Sequence, residues 1–154
     1  MKRITLTFSA IALLTCAVAA QSHPYYSCAN EQIAFEGYDL VSYFENAPTK
    51  GKAEFAVEYD GLTLHFCTPE HQDAFIAEPE RYMPKYGGWC STAMALGVYN
   101  QPDYEMWEIQ DGQLLFFEVK AFWNGKTQWN KDPDKHLILA DRHFRLSTQQ
   151  LAER

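Results

Sequence analysis

Two aspartate–glycine pairs, Asp60-Gly61 and Asp111-Gly112, are the features that most constrain how this chain folds. Each pair is a favoured two-residue turn between antiparallel strands, and apolar residues alternate with polar residues on both sides of it. For the first turn, the alternation predicts three cross-strand pairs on one core-facing side: Tyr59 with Leu62, Val57 with Leu64, and Phe55 with Phe66. The sequence therefore predicts two β-hairpins.

The second hairpin is predicted to have one apolar face and one mixed face. The apolar face carries Trp107, Ile109, Leu114 and Phe116, and the reverse face mixes Met106, Leu115 and Phe117 with polar groups. Because apolar residues need to be covered, we expect another element to pack against part of the reverse face.

Two helix starts are encoded locally. Thr68 and Asp132 suit the N-cap position, and each is followed by a proline that suits the first helical position. In "YDLVSYF", Asp39 is a further candidate cap, ahead of apolar residues at helical spacing. Two hairpins interleaved with short helices and followed by a C-terminal helix predict an α+β domain.

The first 20 residues are predicted to be a removable export signal. Lys2 and Arg3 precede an apolar run that ends in the small residues "AVAA", and cleavage is expected after Ala19 or Ala20. The run is too short to be a confident membrane anchor; lipidation at Cys16 is a less favoured alternative. The mature protein is therefore expected in the periplasm or outside the cell, without stable membrane insertion.

Composition limits the partners of the mature chain. Loss of the basic signal segment changes the formal net charge from −7 to −9, which argues against nucleic acid and anionic membranes as partners. With 47% hydrophobic and 15% aromatic residues, the chain can bury a core. A metal ion or an unknown protein is the expected partner.

Three cysteines, Cys28, Cys67 and Cys90, remain after cleavage. Oxidising conditions outside the cytoplasm favour one disulfide and one spare thiol. We expect Cys28 to pair with one of the other two, because that bridge would tie down the N-terminal segment. The spare thiol could instead be a thiolate ligand or a reactive group.

Cys67 and its neighbours have the composition of a transition-metal site. Cys67 precedes one predicted helix and Cys90 begins another, and the positive end of a helix dipole favours a thiolate. A thiolate beside His71 and His65 suits zinc or copper better than calcium or magnesium. The alternative is that Cys67 is structural and both histidines are surface groups. His136 and His143 are interpreted as members of a solvated helix face.

Four segments of the chain resemble the YHS-domain family: "FEGYDLVSYF", "GKAEFAVEYDGLTLHFCTPEHQDAFIAEPERYMPKYGGWC", "DGQLLFFE" and "HLILADRHF". The resemblance spans roughly residues 33–144 and implies a treble-clef-like core associated with heavy-metal trafficking and sensing. In metal-binding relatives, a cysteine ends the hairpin and a second cysteine follows four residues later; Cys67 and His71 hold those positions here. Cys90 matches the cysteine of the "YGGYC" motif. The implied organisation is a signal peptide (1–20), a loose segment (21–32), a YHS-like domain (33–146) and a tail or helix end (147–154).

These observations favour an exported metal-binding protein that handles copper or zinc, with Cys67 and His71 as ligands and Cys90 or His65 completing the set. The alternative is a non-metal binding module that holds a small molecule or protein partner in an aromatic-lined groove. The sequence has no Cys-x-x-Cys motif, hydrolase signature or phosphate loop, so we do not expect an enzyme.

Cleavage after Ala20 would create a second candidate metal site at the new N-terminus, which would begin Gln21-Ser22-His23. The α-amine, two amide nitrogens and the His23 imidazole could then surround copper(II) in a plane. This prediction fails if cleavage occurs after Ala19 or if Gln21 cyclises.

Overall fold

The computed structural model describes residues 25–28 and 31–153. The predicted export segment, Cys16 and His23 lie outside these residues. No helix in the described part of the chain combines the length and apolar character needed to cross a membrane.

The described chain is a mixed α+β structure, which confirms the predicted fold class, and it contains three antiparallel hairpins instead of the two predicted. The six strands are β1 (Lys52–Tyr59), β2 (Leu62–Phe66), β3 (Asp103–Gln110), β4 (Gln113–Phe117), β5 (Val119–Lys120) and β6 (Trp123–Asn124). The five α-helices are α1 (Pro69–Ala77), α2 (Pro79–Tyr82), α3 (Ser91–Ala95), α4 (Gly125–Trp129) and α5 (Pro133–Ala152). Three short 3₁₀ segments cover Ala34–Gly37, Ser42–Glu45 and Lys85–Gly88.

The β1–β2 hairpin follows the predicted register near its turn and departs from it further away. Tyr59 pairs with Leu62 and Val57 with Leu64, as predicted. The predicted pairing of Phe55 with Phe66 is wrong, because an irregularity in β1 places Lys52 opposite Phe66. Extra residues in one strand shift every later pair, so the alternation near the turn does not extend along the whole strand.

The β3–β4 hairpin has the two predicted faces and divides the core into two clusters. Leu114 and Phe116 face the first cluster, with the β1–β2 hairpin and α1. Leu115 and Phe117 face the second cluster, where Trp129 and α5 cover them. All four side chains are fully buried, and each such burial stabilises the fold by about 1.5–3 kcal/mol. The expected covering element is therefore the C-terminal part of the chain.

The three described cysteines are free thiols, so the expected disulfide is not formed. Cys28 is buried in the first cluster, Cys67 follows β2, and the Sγ of Cys90 accepts a hydrogen bond from the backbone N–H of Glu118. The N-terminal segment is instead docked by its backbone: the N–H of Ser27 donates to the carbonyl of Gly87 at 2.9 Å. Ser27 lies in the segment predicted to be loose (21–32), and this bond holds it against the domain.

Helix α5 begins as predicted, with the Asp132 carboxylate accepting from the backbone N–H of Lys135, and continues to Ala152. Its two histidines are not a solvated face. His136 donates from Nδ1 to the carbonyl of Trp129, and His143 donates from Nδ1 to the carbonyl of Met94. These carbonyls belong to α4 and α3, so α5 is hydrogen-bonded to both short helices.

Candidate metal centre

The centre is organised around Asp39, whose carboxylate has no exposed surface. Its Oδ1 accepts from the backbone N–H of Val41 at 2.8 Å and of Ser42 at 3.3 Å. These bonds satisfy donors at the start of the 3₁₀ segment Ser42–Glu45, as expected of a capping aspartate. The local role predicted for Asp39 is therefore confirmed.

The second oxygen of Asp39 reaches residues distant in sequence. Its Oδ2 accepts from the backbone N–H of Cys67 at 2.8 Å and faces Nδ1 of His71 at 2.6 Å. A carboxylate oxygen accepts, so Nδ1 of His71 carries the proton. One buried carboxylate therefore joins the 3₁₀ segment, the end of β2 and the first turn of α1.

Local sequence explains why His71 lies over Cys67. Pro69 begins α1, and the Thr68 side chain caps it by accepting from the backbone N–H of His71 at 3.2 Å. The cap places His71 in the first helical turn immediately after the strand. The side chain of His71 is 16% exposed, so solvent reaches the ring although Asp39 is fully buried.

The thiol of Cys67 is not the thiolate that the helix dipole predicts. Burial, followed by the hydrogen bond with Asp39 and its charge, raises the pKa of Cys67 to about 11. The Sγ lies 3.7 Å from the carbonyl oxygen of Lys50, so the protonated sulfur faces acceptors. The positive end of α1 is outweighed by loss of water and a nearby carboxylate.

Asp39, Cys67 and His71 each place one ligand atom within 4.8 Å of the other two. A carboxylate oxygen, a cysteine sulfur and an imidazole nitrogen are the usual zinc ligands, with bonds of about 2.0–2.3 Å. Ligands of one tetrahedral ion therefore lie about 3.3–3.8 Å apart. The three atoms would have to move relative to one another to reach that spacing, since Oδ2 of Asp39 and Nδ1 of His71 are 2.6 Å apart.

The structure brings together two of the predicted ligands, Cys67 and His71, and leaves Cys90 and His65 outside the group. Cys90 is fully buried at the start of α3, and burial raises the pKa of its thiol. His65 lies on β2 opposite Ala56. The third member of the group is Asp39, which sequence reasoning considered solely as a cap.

Glu45 lies on the other side of the His71 ring. Its Oε1 is 3.3 Å from Nε2 of His71, and its side chain is 59% exposed. The ring of His71 therefore has a carboxylate oxygen beside each nitrogen, a buried one from Asp39 and an exposed one from Glu45.

A separate cleft of about 610 Å³ contains none of these residues. Its lining is aromatic and charged: Tyr25, Tyr26, Tyr59, Glu80, Met83, Pro84, Lys85, Tyr86, Gln113, Asp141, Phe144, Arg145 and Thr148. No cysteine or histidine lines it, so it is chemically distinct from the candidate metal centre.

The chain matches no protein-family model, curated protein or solved structure with which it was compared. The resemblance to YHS domains and the treble-clef-like core therefore stay predictions, as do export and metal binding.

Proposed function

We propose that this protein is an exported metal-binding protein that holds zinc or copper in the cell envelope. The observation that carries the proposal is the convergence of Cys67, His71 and Asp39 ligand atoms within 4.8 Å of one another. Sulfur and imidazole ligands together favour zinc and copper over calcium and magnesium.

The surroundings of the group support this proposal because they hold its members in place before an ion binds. Asp39 is fixed by two backbone donors in its own segment and by the backbone N–H of Cys67. Cys67 and His71 are carried by the end of a strand and the start of a capped helix. Side chains held on regular elements lose little freedom when they bind a ligand.

Replacing Cys67 with Ser or His71 with Ala is expected to weaken zinc binding by about 100-fold or more, since a binding free energy of about 10–16 kcal/mol is shared among three or four ligands. The measurement is competition of the purified mature protein with a chromophoric zinc chelator under reducing conditions. The matched control is His65→Ala, which removes an imidazole from β2 outside the group and should leave the affinity unchanged. Zinc affinity that survives both Cys67→Ser and His71→Ala would contradict the assignment.

A second candidate function is binding of a small molecule, favoured by the aromatic cleft beside α5. Anilinonaphthalene sulfonate has an apolar ring system, which the aromatic lining could contact, and an anionic group, which Arg145 of the lining could attract. Thr148→Trp should fill the cleft and reduce the fluorescence of the bound dye several-fold. Gln149→Trp places the same side chain on the exposed neighbouring position and is the control; equal dye binding by both variants would remove this candidate.

A further inference from the structure

The turn of the β5–β6 hairpin carries the most exposed large apolar side chain in the described part of the chain. Phe122 is 103% exposed, so its whole phenyl ring lies in water. It lies between Lys120 and Trp123, which pair across the hairpin. A single exposed phenylalanine is ordinary on a protein surface. The scaffold and the neighbours of Phe122 therefore decide whether it can bind a partner.

The base of this hairpin is anchored to the rest of the domain. The backbone N–H of Gly125 donates to the carbonyl of Glu118 at 2.9 Å, and the Thr92 hydroxyl donates to the carbonyl of Gly125 at 2.8 Å. The ring of Trp123 packs closely on Gly125, where a Cβ atom would lie 3.2 Å from two ring carbons. Trp123 is therefore held against the domain, and its neighbour Phe122 is presented to solvent from a fixed base.

Apolar side chains continue from this hairpin to the end of α3. Leu96 and Trp123 line one cleft of about 340 Å³. Leu96 is 69% exposed, and Val119 of the same hairpin is also exposed. Two exposed lysines, Lys131 and Lys135, line the cleft with them. Apolar side chains and lysines therefore share this end of the domain.

The charge at this end differs from that of the chain as a whole. The formal net charge is −7, but residues 119–131 contain three lysines and no acidic residue. Of the flanking acidic residues, Glu118 is largely buried and pairs with Lys120 at 2.6 Å, and Asp132 caps α5. Charges more than about 8–10 Å away are largely screened at physiological ionic strength. The expectation against anionic membranes rests on the net charge and does not describe this end of the domain.

We propose that this end of the domain docks reversibly on an anionic phospholipid surface. Phe122 enters the boundary between the headgroups and the acyl chains, and Lys120, Lys131 and Lys135 face the lipid phosphates. A protruding ring needs a matching pocket in a protein partner, whereas lipids move apart to admit it. One aromatic side chain and a few lysines give weak, peripheral binding. The proposal is independent of the candidate metal centre, which uses other residues.

Vesicle sedimentation tests the role of Phe122. The purified mature protein is sedimented with vesicles that contain phosphatidylglycerol and with vesicles of phosphatidylcholine alone; binding to the anionic vesicles should be at least about 10-fold stronger. Phe122→Ser should weaken that binding about 10-fold or more, because the phenyl ring is then no longer buried in lipid. The control is Ile76→Ser, which removes an exposed apolar side chain from α1 and should leave binding unchanged.

The same assay tests the role of the lysines. Lys131→Gln should weaken binding to the anionic vesicles about fivefold, the contribution of one lysine near a charged lipid surface. The matched control is Lys52→Gln, which removes an exposed lysine from β1 and should have no effect. Circular dichroism of each variant checks that it is folded.

A reporter at the tip separates insertion from attraction at a distance. In Phe122→Trp, the added tryptophan emission should shift to shorter wavelength on anionic vesicles and be quenched by lipids brominated on their acyl chains. The proposal is overturned if that emission does not change, if Phe122→Ser binds as well as the unaltered protein, or if both kinds of vesicle bind equally. Self-association that depends on Phe122, without vesicle binding, would show that the surface is an interface between copies of the chain and would also overturn it.

Discussion

Replacing Asp39 with Ala is expected to lower the free energy of unfolding by about 3–5 kcal/mol, because each buried donor that loses its acceptor costs about 1–3 kcal/mol. The substitution leaves the backbone N–H groups of Val41 and Cys67 without their acceptor and removes the partner of His71 Nδ1. Urea unfolding followed by tryptophan fluorescence measures the change.

The matched control for this substitution is Asp73→Ala, which removes an exposed carboxylate from α1. Surface changes of this kind usually alter stability by less than about 0.5 kcal/mol. A loss below about 1 kcal/mol for Asp39→Ala would contradict the view that this carboxylate holds the three segments together, because buried donors without acceptors cost more than that.

Zinc affinity is expected to rise about 100-fold between pH 6 and pH 8, because binding to a thiolate displaces one proton from Cys67. The pKa of this thiol is raised to about 11, so the metal-free protein is protonated at sulfur throughout that range. Below the pKa of the thiol, each unit of pH therefore changes the apparent affinity about tenfold.

Calorimetry in buffers of different ionisation enthalpy counts the protons released and checks this prediction independently. The variant Cys67→Ser is the control, because it keeps the imidazole of His71 and the carboxylate of Asp39 and should release one proton fewer. Zinc affinity that does not change with pH would show that Cys67 does not bind the ion as a thiolate.

The elements that sequence reasoning predicted correctly are those encoded by neighbouring residues. Asp60-Gly61 and Asp111-Gly112 form the turns, with positive φ at all four residues, because these residue types tolerate that conformation. Thr68 caps α1 in the same local manner. The neighbouring sequence also predicts that Asp39 caps its own segment, but it does not predict the contacts of Asp39 with Cys67 and His71.

The features that escaped prediction depend on residues far apart in the chain. The irregularity in β1 moves Phe55 away from its predicted partner although the turn is correct. The small β5–β6 hairpin has two residues in each strand, which is too short for an alternating pattern to be recognised. The two histidines of α5 donate to carbonyls of α3 and α4. The charged residues beside them in the sequence indicated a solvated helix face instead.

The prediction of a thiolate at Cys67 is wrong because it, too, depends on residues far apart in the chain. The helix start that favours a thiolate can be read from the sequence, but the burial of the sulfur and the proximity of Asp39 cannot. Desolvation and a buried carboxylate dominate the pKa at this position. Cys67 and His71 follow the first hairpin directly and lie close together in sequence, whereas Asp39 approaches both of them, and Glu45 approaches His71, through the fold.

The sequence separation between Asp39 and its partners also bears on how the centre forms during folding. Asp39 is 28 residues from Cys67 and 32 residues from His71, and the β1–β2 hairpin lies between them. Closing such a loop costs chain entropy before any contact repays it. The intervening hairpin forms from neighbouring residues and shortens the distance that the chain must close. The centre therefore requires the fold to close this loop, and we expect an ion in the medium to meet the complete set of ligands after the domain has formed.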